Sequence, residues 1–234
     1  MTTAVVIPAL DEEAAIGGVI ESLPRAGIDE IVVCDNGSRD RTAAVARAAG
    51  ATVVAAPRRG YGSACLAGLA YLRSRPVGPP DVVAFVDADG SDVPAELPFL
   101  LAPLAAGGAD LVIGSRVLGR AEPGALTPVQ RFGNRLASLL LAARWGATTT
   151  DLGPFRAIRW AALERLAMQD RDYGWTVEMQ ARALRLGLVI VEVPVTYRRR
   201  VGRSKISGTL RGVVGAGTKI LWTIGREALR RSVC

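Results

Sequence analysis

Apolar residues in the first half of the chain come in short runs rich in β-branched side chains: AVVIPA (4–9), EIVVCD (30–35), TVVAA (52–56), DVVAFVD (81–87) and DLVIGS (110–115). Short runs that stay apolar at successive positions predict strands buried on both faces, as in a parallel sheet covered by helices. Between them the apolar spacing turns helical, near 12–23, 40–49, 62–74 and 95–106. The alternation predicts a doubly wound α/β sheet. Punctuation agrees: Gly50 stands where the second helix needs a C-cap, and PVGPP (76–80) breaks the chain before the fourth strand. Thr127 and Pro128 supply an N-cap and a first helical residue, and helices are expected near 128–145, 160–168 and 174–186. They precede LVIVEVPVTYRRR (188–200), a strand in which Pro194 marks a bulge or an edge.

A chain of 234 residues that is 50% hydrophobic can bury one substantial core, so a single compact domain is expected over 1–207. The net charge of +7 belongs to the end of the chain: residues 198–234 hold ten Lys and Arg against one acid, Glu227, whereas the first 197 residues hold nineteen bases and twenty-one acids. The tail, 208–234, reads as an amphipathic basic helix, with Leu210, Val213, Val214, Gly217, Ile220, Leu221, Ile224, Ala228 and Leu229 at helical spacing and Arg211, Lys219, Arg226 and Arg230 off that stripe. Those bases interrupt it before it reaches the ~20 apolar residues of a membrane span. The apolar run at 4–9 begins almost at Met1 without a basic flank or cleavage-like site, so a cytosolic start is expected. Cys34, Cys65 and Cys234 are odd in number and far apart, which suits neither a disulfide framework nor a thiolate metal site.

Each strand of the first half runs into a polar loop: DEE (11–13), DNGSRD (35–40), RRGYG (58–62), DADGSD (87–92) and SR (115–116). In a parallel sheet these loops share one rim, the carboxyl ends of the strands, where open α/β folds bind ligands. On an extended strand Asp87 and Asp89 would lie on one face about 6–7 Å apart, repelling by roughly 2–3 kcal/mol at an effective dielectric near 20. A divalent cation reverses that sign, and a small oxygen-only set suits Mg²⁺ or Mn²⁺, with waters and phosphate oxygens completing the shell. Zinc is disfavoured because the chain has no histidine and no clustered cysteines. Asp92, two residues before Pro94, is expected to cap the following helix. No G-x-G-x-x-G follows the first strand, so a dinucleotide fingerprint is absent.

Seven segments in order, VVIPALDEE, IVVCDNGSRDRT, FVDADGSDVP, VIGSR, GPFRAIR, YGWTVEMQ and RVGRSKISG, resemble the family 2 glycosyltransferases of GT-A fold, most closely bacterial relatives of the polyprenyl-phosphate (dolichyl-phosphate) sugar synthases. The resemblance covers nearly the whole chain. It implies a Rossmann-like, mostly parallel central sheet with helices on both faces, and a nucleotide-sugar donor. Pro8, Leu10 and Glu12 would line the nucleotide pocket, with Asp35 taking the base. Asp87 and Asp89 match the family's D-x-D, which holds Mg²⁺ or Mn²⁺ on the diphosphate; Ser91 replaces the amide of the usual D-x-D-x-Q as a further metal contact. Arg116 matches a basic residue near the donor phosphates and Arg131 a position facing the acceptor. Arg203 and Lys205, in GRSK, match a basic loop that closes over phosphates on both the donor and acceptor sides. Asp11 stands where the family has Asn.

The implied reaction displaces a nucleoside diphosphate from an anomeric carbon, and the resemblance favours inversion. With a polyprenyl phosphate as acceptor no general base is required, because a phosphomonoester is already mostly ionised near neutrality. A hydroxyl acceptor requires one, and Asp151 and Glu178 are the candidates. The tail suggests a peripheral enzyme at the inner face of the cell membrane, with Trp222 at the interface; packing on the domain or on a second subunit in a homo-oligomer is the plainer alternative for that helix. A different class is a non-catalytic nucleotide or polyanion binder. Nucleic acid is not expected, because the bases flank an amphipathic stripe instead of interleaving with exposed aromatics.

Overall fold

The computed structural model describes residues 1–202 and 210–230; Arg203, Lys205 and Cys234 lie outside the described residues. Seven strands form one sheet: β1 (Thr3–Ala9), β2 (Glu30–Asp35), β3 (Thr52–Ala55), β4 (Val82–Phe85), β5 (Leu111–Ala121), β6 (Arg156–Arg159) and β7 (Ile190–Tyr197), in the order β3-β2-β1-β4-β6-β5-β7. β1 is buried at every residue, as its unbroken apolar run requires. β6 runs antiparallel to β4 and β5, and the other described pairings are parallel. The sequence pattern gives no sign of β6, since its four residues RAIR carry arginine at both ends. Pairing on both sides holds it in the sheet.

Helices cover both faces. On one, α1 (Ile16–Glu21), α2 (Thr42–Ala48) and α4 (Leu97–Ala105) pack Ile16, Val19, Ile20, Ala46, Leu97 and Leu100 over Val5, Ile7 and Val33. On the other, α3 (Tyr61–Ser74), α6 (Trp160–Leu166) and α7 (Trp175–Arg185) bury Leu69, Leu72, Leu163, Trp175 and Met179 against Val6, Phe85 and Ile113. Each fully buried Leu, Ile or Val contributes roughly 1.5–3 kcal/mol. Cys34 and Cys65 are free thiols within the second layer.

α5 (Pro128–Trp145) begins with the expected cap: Thr127 Oγ1 accepts the Gln130 amide and the Gln130 side chain accepts the Thr127 amide, a reciprocal capping box. α8 (Leu210–Leu229) packs on α5 and α7 through Ile220 and Ile224. The stripe expected along this helix is divided. Ile224, Thr223 and Glu227 are buried, whereas Leu221, Trp222 and Leu229 face outward. Its described bases Lys219, Arg226 and Arg230 each pair with a buried carboxylate, of Asp170, Glu178 or Glu227. No described helix is long and apolar enough to cross a membrane.

Two expectations at strand ends change. β4 ends at Phe85, so Asp87 and Asp89 stand in a turn, which Gly90 closes at φ 75°, and not on one face of an extended strand. α1 starts at Ile16 because the acids before it serve the neighbouring loop: Asp11 Oδ1 accepts the Arg39 amide at 2.7 Å and Glu13 Oε2 the Arg41 amide at 2.8 Å. β7 is an edge strand, and its register with β5 shifts between Ser115 and Arg120, beside Pro194, which lacks an N–H for the ladder.

At the start of α3 the backbone passes so close to the loop before α7 that a Cβ on Gly62 would lie 2.1 Å from the Asp170 carbonyl oxygen. Gly62→Ala is therefore expected to cost about 2 kcal/mol or more and to lower the thermal midpoint by roughly 4–8 °C, as measured by calorimetry.

Candidate active site at the carboxyl rim of the sheet

The turn after β4 is built from its own carboxylates. Asp92 Oδ2 accepts the Asp87 amide at 3.1 Å, and Asp89 Oδ1 accepts the Ser91 amide at 2.9 Å and the Ser91 hydroxyl at 2.5 Å. Asp92 therefore does not cap the helix that follows: the cap position is Val93, with no side-chain cap bond, and Asp92 is buried with Oδ1 unpaired. Ser91, expected at the metal, is buried and spends its hydroxyl on holding Asp89.

Neighbouring elements supply the balancing groups. Tyr61 donates its hydroxyl to Asp87 Oδ1 at 3.0 Å. Burial, and then the Asp87 charge, pushes the Tyr61 phenol well above its usual pKa, which keeps it a donor. Arg200, just past β7, reaches across the cleft with Nη1 3.2 Å from Asp89 and Nη2 3.0 Å from Glu12. Arg116 sits at the register break of β5, clamped by Asp151: Nε and Nη2 donate to the two carboxylate oxygens at 2.8 and 2.7 Å, and the Arg116 amide adds a bond of 2.7 Å. Its guanidinium stacks over Tyr197 at 4.9 Å. Burial, followed by the Asp89 charge, raises the Asp87 pKa to about 7; burial, then Asp87, raises Asp92 as well.

A cavity of about 330 Å³ beside this turn is lined by Pro8, Leu10, Glu12, Asp87, Asp89 and Arg200. The structure thus brings together most of the residues expected to meet the donor. Asp35 does not line it; its carboxylate accepts the Ser38 amide, and the next residue, Asn36, forms the wall, holding the Gly60 amide at 2.8 Å. A second cavity, about 480 Å³, shares Tyr61, Asp87, Asp89, Tyr173 and Arg200 and extends to Arg116, Thr127 and Leu152. A third, about 390 Å³, continues from Arg116, Thr127 and Leu152 between α5 and α8, where Val129, Phe132, Leu136, Ile220 and Leu221 make it apolar. Arg131 is exposed on α5 and lines, with Arg135, a depression of about 730 Å³ that shares Arg116, Gln130 and Asn134 with the third cavity.

Neither carboxylate expected as a general base is free. Asp151 is fully buried under Arg116. Glu178 is fully buried away from these cavities, where it pairs with Arg182 at 2.8 Å and Arg226 at 2.9 Å and accepts the Gln169 and Asp170 amides. Sequence reading also passed over Tyr61, Asn36, Arg200, Asp172 and Tyr173. Arg200 was visible only as charge in RRR, Asn36 and Tyr61 as turn residues, and the last two owe their place to the packing of the loop before α7.

Two carboxylates from one turn, with a cation beside them, suit a hard divalent ion whose remaining positions go to water and phosphate oxygens. No group of three or more His, Cys, Asp or Glu in a metal-holding arrangement occurs among the described residues. The donor set fits an ion completed by its substrate.

Comparison with known proteins follows the same line. The profile described as glycosyl transferase family 2 matches residues 4–167. An uncharacterized glycosyltransferase of Mycobacterium tuberculosis is 42% identical over 90% of this chain and 92% of its own length. An undecaprenyl-phosphate mannosyltransferase of Micrococcus luteus is 33% identical over 92% of this chain and 90% of its own. Among solved structures, glucosyl-3-phosphoglycerate synthase from Mycobacterium tuberculosis, in complex with Mn²⁺, uridine diphosphate and glucosyl-3-phosphoglycerate, superposes with a TM-score of 0.75 and 28% identity over 97% of this chain and 80% of that one.

The raised Asp87 pKa has a definite sign. Its contribution to stability is fully present below the ordinary carboxylate pKa of about 3.9 and is lost as pH rises through about 7, where the ionised form must be held inside the fold. In chelator, the thermal midpoint of the wild-type protein is expected to fall between pH 5 and 7.5 relative to that of Asp87→Asn. Parallel pH profiles for the two proteins would contradict this.

Proposed function

The chain belongs to glycosyl transferase family 2, and from that premise we propose that it moves a sugar from a GDP- or UDP-sugar onto a polyprenyl phosphate at the cytoplasmic face of the membrane, using Mg²⁺ or Mn²⁺. That it is a glycosyltransferase of GT-A fold follows from the family match and the sheet. The observation that carries the acceptor is the continuity of the cavities. The space bounded by Asp87 and Asp89 runs past Arg116 and Leu152 into a groove lined by Val129, Phe132, Leu136, Ile220 and Leu221. An acceptor with a charged head and an apolar chain fits both ends of that path. The M. luteus relative, an undecaprenyl-phosphate mannosyltransferase by name, supports the same class.

In this reading Leu10, Glu12 and Asn36 form the nucleotide end, and Asp87 and Asp89 hold the ion on the donor diphosphate. The ion supplies Lewis-acid stabilisation of the leaving diphosphate when bound. Arg200 faces the same phosphates once Asp89 turns to the ion, and Arg116, held rigid by Asp151, offers fixed positive charge where the acceptor phosphate approaches the anomeric carbon. Arg203 and Lys205 are assigned to the loop over the phosphates by resemblance alone. A phosphate acceptor needs no proton removed at neutral pH, which accords with Asp151 and Glu178 both being tied into ion pairs. The exposed side chains of Phe132, Leu221 and Trp222 give the molecule an apolar face for a lipid surface beside the groove.

The glucosyl-3-phosphoglycerate synthase likeness favours the second reading, a small phosphorylated hydroxyl acceptor. Incubation with GDP- and UDP-hexoses, Mn²⁺ and either a long-chain polyprenyl phosphate or 3-phosphoglycerate separates the two. Transfer to the prenyl phosphate is expected, and transfer to phosphoglycerate alone would overturn the lipid assignment. Asp89→Ala should lower kcat by roughly a hundredfold or more. Phe132→Ser together with Leu221→Ser is expected to raise KM for a long-chain acceptor by about tenfold while leaving the donor KM unchanged, since a lipid chain in the groove would cover only part of these two exposed side chains and so recover only part of the ~1.5–3 kcal/mol that full burial of each is worth.

A further inference from the structure

Residues 169–174, between α6 and α7, carry Asp172 and Tyr173 into the wall of the nucleotide cavity. The backbone of this loop hangs on two buried carboxylates. Glu178 Oε2 accepts the Gln169 and Asp170 amides at 3.0 and 2.7 Å, and Asp170 Oδ1 accepts the Asp172 and Gly174 amides at 2.8 and 3.1 Å. Each carboxylate turns its second oxygen toward α8. Arg226 Nη2 lies 2.9 Å from Glu178 Oε1, and Lys219 Nζ lies 3.0 Å from Asp170 Oδ2, an ion pair that lacks the angles of a hydrogen bond. Arg182 also neutralises Glu178, at 2.8 Å, and Glu227, fully buried on α8, balances Arg182 and Arg226 at 3.3 and 3.1 Å.

The same two cations meet again on the outer side of the helix. Lys219 Nζ lies 5.6 Å and Arg226 Cζ 4.7 Å from the ring centroid of Trp222, a residue that is 55% exposed. One outward aromatic therefore stacks on both of the α8 cations that pair with the loop's anchors. A buried carboxylate that loses its counter-charge protonates or moves toward water, and either change weakens the amide bonds it accepts. Where α8 sits thus decides how firmly residues 169–174 are held, although no described residue of the helix lines the nucleotide cavity.

We propose that Lys219, Trp222 and Arg226 are positioning residues of this enzyme: seated on α7, they fix the loop bearing Asp172 and Tyr173 against the nucleotide sugar, through Asp170 and Glu178. The proposal deepens the transferase reading and rests on it only for the identity of the ligand. Hydrogen exchange of the full chain, without substrate, tests the linkage. In Lys219→Met and Arg226→Gln the amides of residues 169–174 are expected to exchange roughly tenfold faster, and Arg226→Lys to restore most of the protection. Trp222→Leu, which keeps an apolar outer face but removes the stacking, should shift the same amides in the same direction. Arg144→Gln is the control for a loosened helix, because among the described residues Arg144 bonds α8 at the Ala228 carbonyl, at 3.1 and 3.3 Å, away from the loop's anchors; it should lower the thermal midpoint and leave the loop amides as they are. With UDP- or GDP-hexose and Mn²⁺, Lys219→Met and Arg226→Gln are expected to raise the donor KM several-fold with kcat little changed. Unchanged exchange at 169–174 in Lys219→Met and Arg226→Gln would overturn the proposal, and so would an equal rise in Arg144→Gln. A wild-type chain inactive on every nucleotide sugar would defeat the transferase assignment while leaving the exchange result to be judged by itself.

Discussion

Like charge gathered at the end of one buried strand governs this molecule. Asp87, Asp89 and Asp92 crowd a single turn, and the fold tolerates them by giving each a different partner: a tyrosine hydroxyl, an arginine from the far edge of the sheet, and a backbone amide of the turn itself. Burial of carboxylates raises their pKa unless cations or donors answer them, and Asp87 and Asp92 are both raised. In the proposed function an external cation takes over part of the counter-charge that these partners supply. The order of strands brings Tyr61, Arg116 and Arg200 to the same rim.

A second charge cluster obeys the same rule with a different result. Glu178, Glu227 and Asp170 are buried with Arg182, Arg226 and Lys219, and every carboxylate meets at least one base. Buried pairs of this kind add little net stability but are costly to break. They tie α8 to α7, and Glu178 and Asp170 also accept the backbone amides of the loop that carries Asp172 and Tyr173 into the wall of the rim cavity. The described bases of α8, Lys219, Arg226 and Arg230, are thus paired with buried carboxylates, and Leu221 and Trp222 face outward.

Chemistry and packing meet at Arg116. The break in pairing between β5 and β7, beside a proline that cannot donate, lets the chain leave the sheet and aim this side chain, while Asp151 fixes its plane from below. Arg116 lines both the cavity of the carboxylate turn and the apolar groove between α5 and α8, so in the proposed reaction it stands where a charged head and an apolar chain meet. In that reading a rigid guanidinium costs no reorganisation when charge moves.

The alternation of short apolar runs with helical spacing determined the doubly wound sheet, and the polar loops at the strand ends pointed to the rim where the carboxylate turn and its cavities lie. Both are local signals, because a strand buried on two faces must be apolar throughout and must end where the chain turns polar. Asp87 and Asp89 stood out for that reason, whereas Pro8, Leu10, Glu12 and Arg116 were singled out only by resemblance to the family. Tertiary structure decided what depends on partners distant in sequence. β6 exists only through pairing on both sides, Arg200 reaches Glu12 from 188 residues away, and Asp92 turns inward and leaves the helix cap unfilled. Asp151 and Glu178 look alike as free carboxylates in a sequence. Only the fold gives them Arg116, Arg182 and Arg226, since the partner of a buried charge is set by packing and not by its neighbours along the chain.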